Sequence, residues 1–280
     1  MTQNLQNLFN FYDNLERRWH SLSGSKLISN VVLISFVIGL TVSVLSYLGL
    51  YKNIRVSHFF AIELAFNVLL ICELLSLVFV FTRSVADSVG VQFEIVSLIL
   101  LRNSFKELGH LPLNLAWNEQ AVISLMPLMA DAVGAVVVFL ITGLFYKAQQ
   151  HQSITNSAQE KEEFTKVKKL IAICLLGSFV VLVLTDFFRF VQTGVYVKSF
   201  NMYYTILVFT DIFVLIYSLR FSTRYNNLFR YSSFALATVI IRMALSAPEY
   251  VNVILSITAG LFVLMVTYIY NNLNAVVIKK

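Results

Sequence analysis

The sequence predicts an all-α polytopic membrane protein of eight transmembrane helices, built as two tandem four-helix units in a parallel repeat, with both termini cytoplasmic. Three observations carry this expectation: eight apolar runs of spanning length, a one-sided distribution of basic residues, and self-similarity between the halves. Apolar residues make up 58% of the chain and charged residues 13%, against about 25% charged in ordinary globular domains. Twenty-four phenylalanines and thirteen tyrosines suit lipid-facing surfaces and interfacial belts.

A helix that crosses the hydrocarbon needs about 17–25 mostly apolar residues. Eight runs answer to this, at 27–49, 58–82, 91–108, 120–146, 169–193, 201–219, 231–247 and 251–271. The third and seventh are short and carry arginines, so hydropathy ranks them lowest. Runs such as Val31–Leu50 lack the strict alternation of a barrel strand, and backbone groups in lipid must be satisfied within the segment, which favours helices. With the N-terminus inside, fourteen lysines and arginines fall on inner segments and four (Lys52, Arg55, Lys106 and Lys198) on outer ones. Positive charge is retained on the cytoplasmic side. Both termini are therefore expected there, which requires an even number of spans.

Between and before the spans lie two polar stretches. Residues 1–25 lack the apolar core and cleavage site of a signal peptide, so insertion is expected to rest on the first run. Within them Leu5, Leu8, Tyr12, Leu15, Trp19 and Leu22 recur at three- and four-residue steps, the stripe of an amphipathic helix lying on the inner interface or against a neighbouring subunit. Residues 148–168 are polar, with Glu162 four residues before Lys166. They are expected to form a cytoplasmic linker leading into a solvated extension of the fifth span. The expected domains are thus 1–25, a first unit at 26–147, the linker at 148–168, a second unit at 169–273, and a tail at 274–280.

The repeat is legible residue by residue. Lys26-Leu27-Ile28, Leu33 and Ser35-Phe36-Val37 recur as Lys169-Leu170-Ile171, Leu176 and Ser178-Phe179-Val180 at a constant offset. An acid precedes Leu74-Leu75-Ser76-Leu77-Val78 and another precedes Ile212-Phe213-Val214-Leu215, while Leu100-Leu101-Arg102 matches Ile240-Ile241-Arg242. Four spans per copy make both copies start on the same side, unlike the inverted repeats of many transporters. From Asp211 to Tyr270, through Arg220-Phe221, Leu228-Phe229-Arg230-Tyr231 and Ala237-Thr238-Val239-Ile240-Ile241-Arg242, the chain resembles the bacterial phosphate-starvation-inducible PsiE-like membrane family. The first half resembles it more faintly, through Glu73, Phe93 and Arg102. That family is a single four-span unit with an acid in its second span and an arginine in its third. This chain departs from it in being duplicated and in a longer loop before the fourth span. The resemblance implies a fold and a bacterial inner membrane, and no molecular activity.

Charge in hydrocarbon persists only with a partner, water or a task. By helical rise, Glu73 stands roughly 15 Å from the inner turn at Arg83, and Arg102 roughly 18 Å from Gly90 on the next helix. Asp211 and Arg242 match in the same way. The two acid–arginine pairs are expected to meet, as clips that fix helix register or as parts of a proton or ion path, in which Glu73 and Arg102 line the route with Asp131 and the Asp211–Arg242 pair is the structural copy. A voltage-sensing role is disfavoured, because steep sensing needs several gating charges per unit. Asp131 occurs in one copy only, one turn past Pro127, whose ring kinks the helix and frees a carbonyl. It is the leading candidate for an ion or proton site, against a role as a further partner of Arg102 or as an acid at a subunit interface. Asn67, Glu94, Lys106 and Glu63 extend this candidate path. Asp186 and Arg189, three apart, are expected to satisfy each other.

No nucleophile elbow, phosphate loop or protease signature occurs. The four histidines and two cysteines have no ligand spacing, so neither catalysis, metal nor cofactor is expected. Basic residues at the inner face are expected to meet anionic lipid rather than nucleic acid. A second copy of the chain or a membrane partner is the expected protein contact. Two functional classes follow: a proton or small-ion channel or transporter, or a non-conducting scaffold or regulatory subunit acting through a partner.

Overall fold

The computed structural model describes residues 3–48, 60–82, 85–108, 119–149, 158–193, 200–218, 220–221 and 225–278. Among these residues the chain forms nine helices and no strand: α1 (Gln3–Trp19), α2 (Leu22–Tyr47), α3 (Phe60–Val80), α4 (Val85–Leu108), α5 (Glu119–Ala148), α6 (Ala158–Thr193), α7 (Phe200–Ser218), α8 (Tyr225–Ser246) and α9 (Val251–Ile278). Helices α2 to α9 each cover one of the eight apolar runs, and α1 covers the amphipathic stripe. Several of the residues that orient the chain by charge (Lys52, Arg55, Arg83, Lys198, Arg224, Lys279 and Lys280) lie outside the described residues, as do His58, His110 and His151.

Among the described residues six helices are long and apolar enough to cross a membrane: α2, α3, α5, α6, α8 and α9. This is a membrane-spanning helical protein. The expectation of eight spans is not carried by length and composition alone. Helix α4 holds Asp87, Glu94, Arg102, Lys106 and Glu107, and α7 offers only the shorter apolar stretch Met202–Ser218. The arginine-bearing α8, expected to rank low, qualifies because it starts at Tyr225, six residues ahead of the apolar run. Helix α6 has 36 residues, about 54 Å at 1.5 Å each, against a hydrocarbon core of about 30 Å. Its first turns are the polar segment expected to extend the fifth span, and there Lys166 meets Glu162 at 2.5 Å.

The chain divides into two compact units, Met1–Ser76 with Ser97–Ala135, and Leu77–Val96 with Val136–Lys280. The divisions fall within α3, α4 and α5. The expected repeat boundary at 148–168 lies inside the second of these units.

In the first unit, α1 and α2 join through a tight turn. Ser21 caps α2 by accepting from Gly24 N at 3.1 Å, and its hydroxyl donates to Arg18 O at 2.7 Å. A Cβ at Gly24 would collide with the carbonyls of Arg18 and Trp19. Helix α1 docks by one edge of its stripe: Phe9 and Tyr12 are buried, and Trp19 Nε1 donates to Ser76 Oγ at 2.9 Å. Leu5, Leu8, Phe11 and Leu22 remain exposed. Phe66 stacks on Phe105 between α3 and α4 at 5.7 Å. Ser104 Oγ donates to Leu128 O at 3.0 Å beside Pro127, joining α4 to α5.

In the second unit α6, α7, α8 and α9 pack in order, each on the next. The later part of α5 joins them through Phe145, edge-to-face with Phe234 at 6.0 Å. Asn271 Nδ2 donates to Ala148 O at 2.7 Å, and Gln149 Nε2 to Asp87 Oδ1 at 3.0 Å. The aromatic trio Phe164, Tyr217 and Phe221, with centroids 5.4–6.0 Å apart, ties the start of α6 to the end of α7.

Gly39 of α2 faces Ala61 of α3 so closely that a Cβ would stand 2.7 Å from the Ala61 Cα. Backbone cannot move aside as a side-chain end can. Gly39→Ala is expected to cost about 1–3 kcal/mol of stability through overpacking, read as a lower melting temperature in detergent. Gly177→Ala, whose Cβ meets nothing within 4 Å, is expected to leave stability unchanged or raise it slightly.

Candidate functional site

Helices α7 and α8 bring Asp211 and Arg242 together. Arg242 Nε donates to Asp211 Oδ2 at 2.6 Å, with the side chains 2% and 9% exposed. A charge-assisted bond of this length between desolvated groups is strong. The guanidinium engages the acid through Nε, while Nη1 has no hydrogen-bond partner among the described residues. The corresponding pair in the first unit is looser. Glu73 is buried and lies in the field of Arg102, yet its Oε2 accepts no hydrogen bond among the described residues. Arg102 donates through Nη2 to Asn103 on its own helix at 3.1 Å.

Asp131 is buried on α5 and Asn67 half-buried on α3. Glu63, Glu94 and Lys106 are exposed. Asp186 is buried whereas Arg189 is exposed.

A cavity of about 40 Å³ in the second unit adjoins Asp211. Phe81, Val85, Val89, Val214 and Leu215 give it mostly apolar walls, and Gln92, Lys168, Ser218, Tyr231 and Thr238 line it together with the acid. At roughly 10–15 Å³ per molecule, such a space accommodates on the order of three waters. It reaches from Ser218, the last residue of α7, to Asp211, seven residues deeper, a run of about 10 Å along the helix. Lys168 is 4% exposed. It lies in electrostatic reach of Asp211 and Asp87, and its Nζ sits 5.2 Å from the Phe164 ring centroid. Arg230, also buried, packs over the rings of Tyr270 at 4.5 Å and Phe234 at 5.3 Å.

Lys168, Gln92 and Arg230 were not singled out by the sequence reading, although periodicity contained the signal. Phe164, Lys168, Ala172, Leu175 and Phe179 recur at helical steps, and all are buried. Lys168 therefore belongs to the packed stripe of α6, whereas charge counting assigns it to a basic loop. Gln92 likewise sits between buried Val89 and Val96. Among the described residues no three histidine, cysteine or acidic side chains cluster as metal ligands. The arrangement offers a carboxylate held by one cation, a second cation nearby, and water-sized space with mostly apolar walls.

Removing one member of the α7–α8 pair strands the other. Arg242→Ala is expected to cost about 3–5 kcal/mol, seen as a loss of unfolding free energy in detergent micelles. Arg242→Met combined with Asp211→Leu is expected to recover most of that loss, because two apolar side chains leave no buried charge behind. No family model, no curated protein and no solved structure matches this chain.

Proposed function

We propose that this chain is an integral protein of the bacterial inner membrane that moves protons or small inorganic ions. On this reading α2 to α9 are eight spans in two tandem four-helix units, both termini are cytoplasmic, and the fold is PsiE-like in each unit. The repeated acid and arginine positions and the excess of basic residues on inner segments support that arrangement.

One observation carries the functional reading. A buried Asp211–Arg242 pair borders a water-sized cavity that buried Lys168 also lines. A bundle that needed only a register clip has no use for a second buried cation and open space beside it. Intramembrane ionisable groups around water mark ion and proton routes. With the N-terminus inside, the cavity lies toward the cytoplasmic ends of α6 and α7, as a vestibule leading to the ion pair. Asp131, with Asn67, Glu63 and Lys106, remains a separate candidate position in the first unit, and Glu94 one in the second.

A scaffold role is favoured by a different feature. Helix α1 is anchored through Trp19 yet leaves Leu8 and Phe11 exposed, the latter by 62%, with Arg17 and Arg18 in its last turn. Such a strip suits anionic lipid at the inner face, a second copy or a membrane partner.

Reconstitution of the purified chain into vesicles separates the two. Ion or proton flux that falls to the level of empty vesicles in Asp211→Asn, and falls strongly in Lys168→Met, is the expected result. Absence of flux under any gradient or potential would overturn the transport reading in favour of the scaffold. Flux abolished by Asp131→Asn but untouched by Asp211→Asn would move the route to the first unit.

A further inference from the structure

Helix α1 meets three different surroundings around its circumference. At about 100° per residue, Phe9, Tyr12 and Trp19 fall within an arc of roughly 80°, and this arc faces protein. Phe9 and Tyr12 are buried. Trp19 Nε1 donates to Ser76 Oγ at 2.9 Å, while the Ser76 hydroxyl donates to Cys72 O at 3.0 Å. The serine has one hydrogen, so its lone pairs are left for the indole.

Beyond one edge of that arc Asn10, Asp13, Asn14 and Arg17 occupy about 100°. Arg17 closes on its own helix there, through Asp13 O at 3.3 Å and Asn14 Oδ1 at 2.9 Å. Beyond the other edge Leu8, Leu15 and Phe11 fill about 60°. Leu8 and Phe11 are exposed and Leu15 is half-buried. Arg18 follows Phe11 by roughly 20°, at the border between the apolar flank and the polar face. Protein on one side, a polar face on another and an apolar flank between them are what a helix lying in a membrane surface presents.

Depth and continuity name the occupant of that flank. Ser76 lies four residues before Val80, the last of α3, or about 6 Å along the axis. In-plane helices sink their apolar face about 5–10 Å into the boundary of headgroups and acyl chains, which matches this anchor. Three residues past Trp19 begins α2, a helix of spanning length that leaves Leu22, Leu27, Val31 and Ile34 exposed. The flank of α1 therefore adjoins a surface suited to acyl chains.

Charge selects the lipid. Arg18 and Lys26 are exposed, and neither side chain makes a hydrogen bond or ion pair among the described residues. Gly24 lies against the Arg18 carbonyl, so the turn brings Lys26, two residues further on, to the same corner. Asp13 and Glu16 already have interactions of their own, and the first turn of α2 holds no acid. Two cations left without a protein counter-charge at headgroup level complement the phosphates of anionic phospholipid.

We infer that α1 is seated in the membrane surface, with Leu8, Phe11 and Leu15 among acyl chains and Arg18 and Lys26 on the headgroups of anionic phospholipid. The seat requires that α2 crosses the membrane and takes nothing from the transport reading, so it stands or falls whether or not the chain conducts.

Spin labels on the full chain test this. In a Cys72→Ala, Cys174→Ala background, a nitroxide is attached at Phe11→Cys or at Asn14→Cys. The protein is then placed in vesicles of phosphatidylcholine, with or without phosphatidylglycerol. With phosphatidylglycerol, the Phe11 label is expected to collide severalfold more with oxygen, which concentrates among acyl chains, than with a water-soluble nickel chelate. The Asn14 label is expected to show the reverse. Omitting phosphatidylglycerol, or combining Arg18→Gln with Lys26→Gln, is expected to shift the Phe11 label severalfold toward the chelate. A Phe11 label as open to the chelate as the Asn14 label in both membranes would overturn the seat and leave the flank to a protein partner. Spin–spin broadening at Phe11 that dilution with unlabelled chain relieves would overturn it in favour of a second copy. Equal depth in both membranes would overturn the assignment of anionic headgroups.

Discussion

Transferring an ionised side chain from water to hydrocarbon costs more than most single contacts in a protein return, and every buried polar feature of this chain follows from that constraint. Asp211 and Arg242 meet at 2.6 Å because neither is tolerable alone between α7 and α8. The pair then fixes the register of two helices whose apolar surfaces would otherwise slide with little penalty. Specificity of this kind is the best-supported benefit of a buried ion pair; net stability is not.

The two acid–arginine positions are equivalent in sequence and unequal in structure. In the second unit the acid and the guanidinium are hydrogen-bonded. In the first, Arg102 turns to Asn103, and Glu73 keeps an oxygen without a hydrogen bond among the described residues.

Much of the fold was legible in the sequence because lipid leaves few choices. Runs of apolar residues at spanning length became α2 to α9, and the three- and four-residue stripe of Leu5, Tyr12 and Trp19 became α1. Helix starts were less legible. Val85 to Gly90 and Tyr225 to Arg230 are helical but too polar to be counted in an apolar run, and Asp87 in the first turn of α4 complements the helix dipole there. The site was legible only at its charges. Asp211 and Arg242 announce themselves by their cost. Lys168 hides among Lys166 and Lys169 because charge counting ignores helical phase, and Gln92 because an uncharged amide in an apolar stretch carries no strong signal.

Helix α6 gives the molecule a mechanical property. Its 36 residues form one unbroken rod, with Glu163 held by Tyr217 and Arg220 at the polar end and Lys168 little more than one turn further along. No joint intervenes to absorb a twist. The solvated turns that carry Glu160, Lys161 and Glu162 and the lysine beside the cavity therefore belong to one continuous helix. The rod is a lever with its fulcrum in the aromatic trio of Phe164, Tyr217 and Phe221.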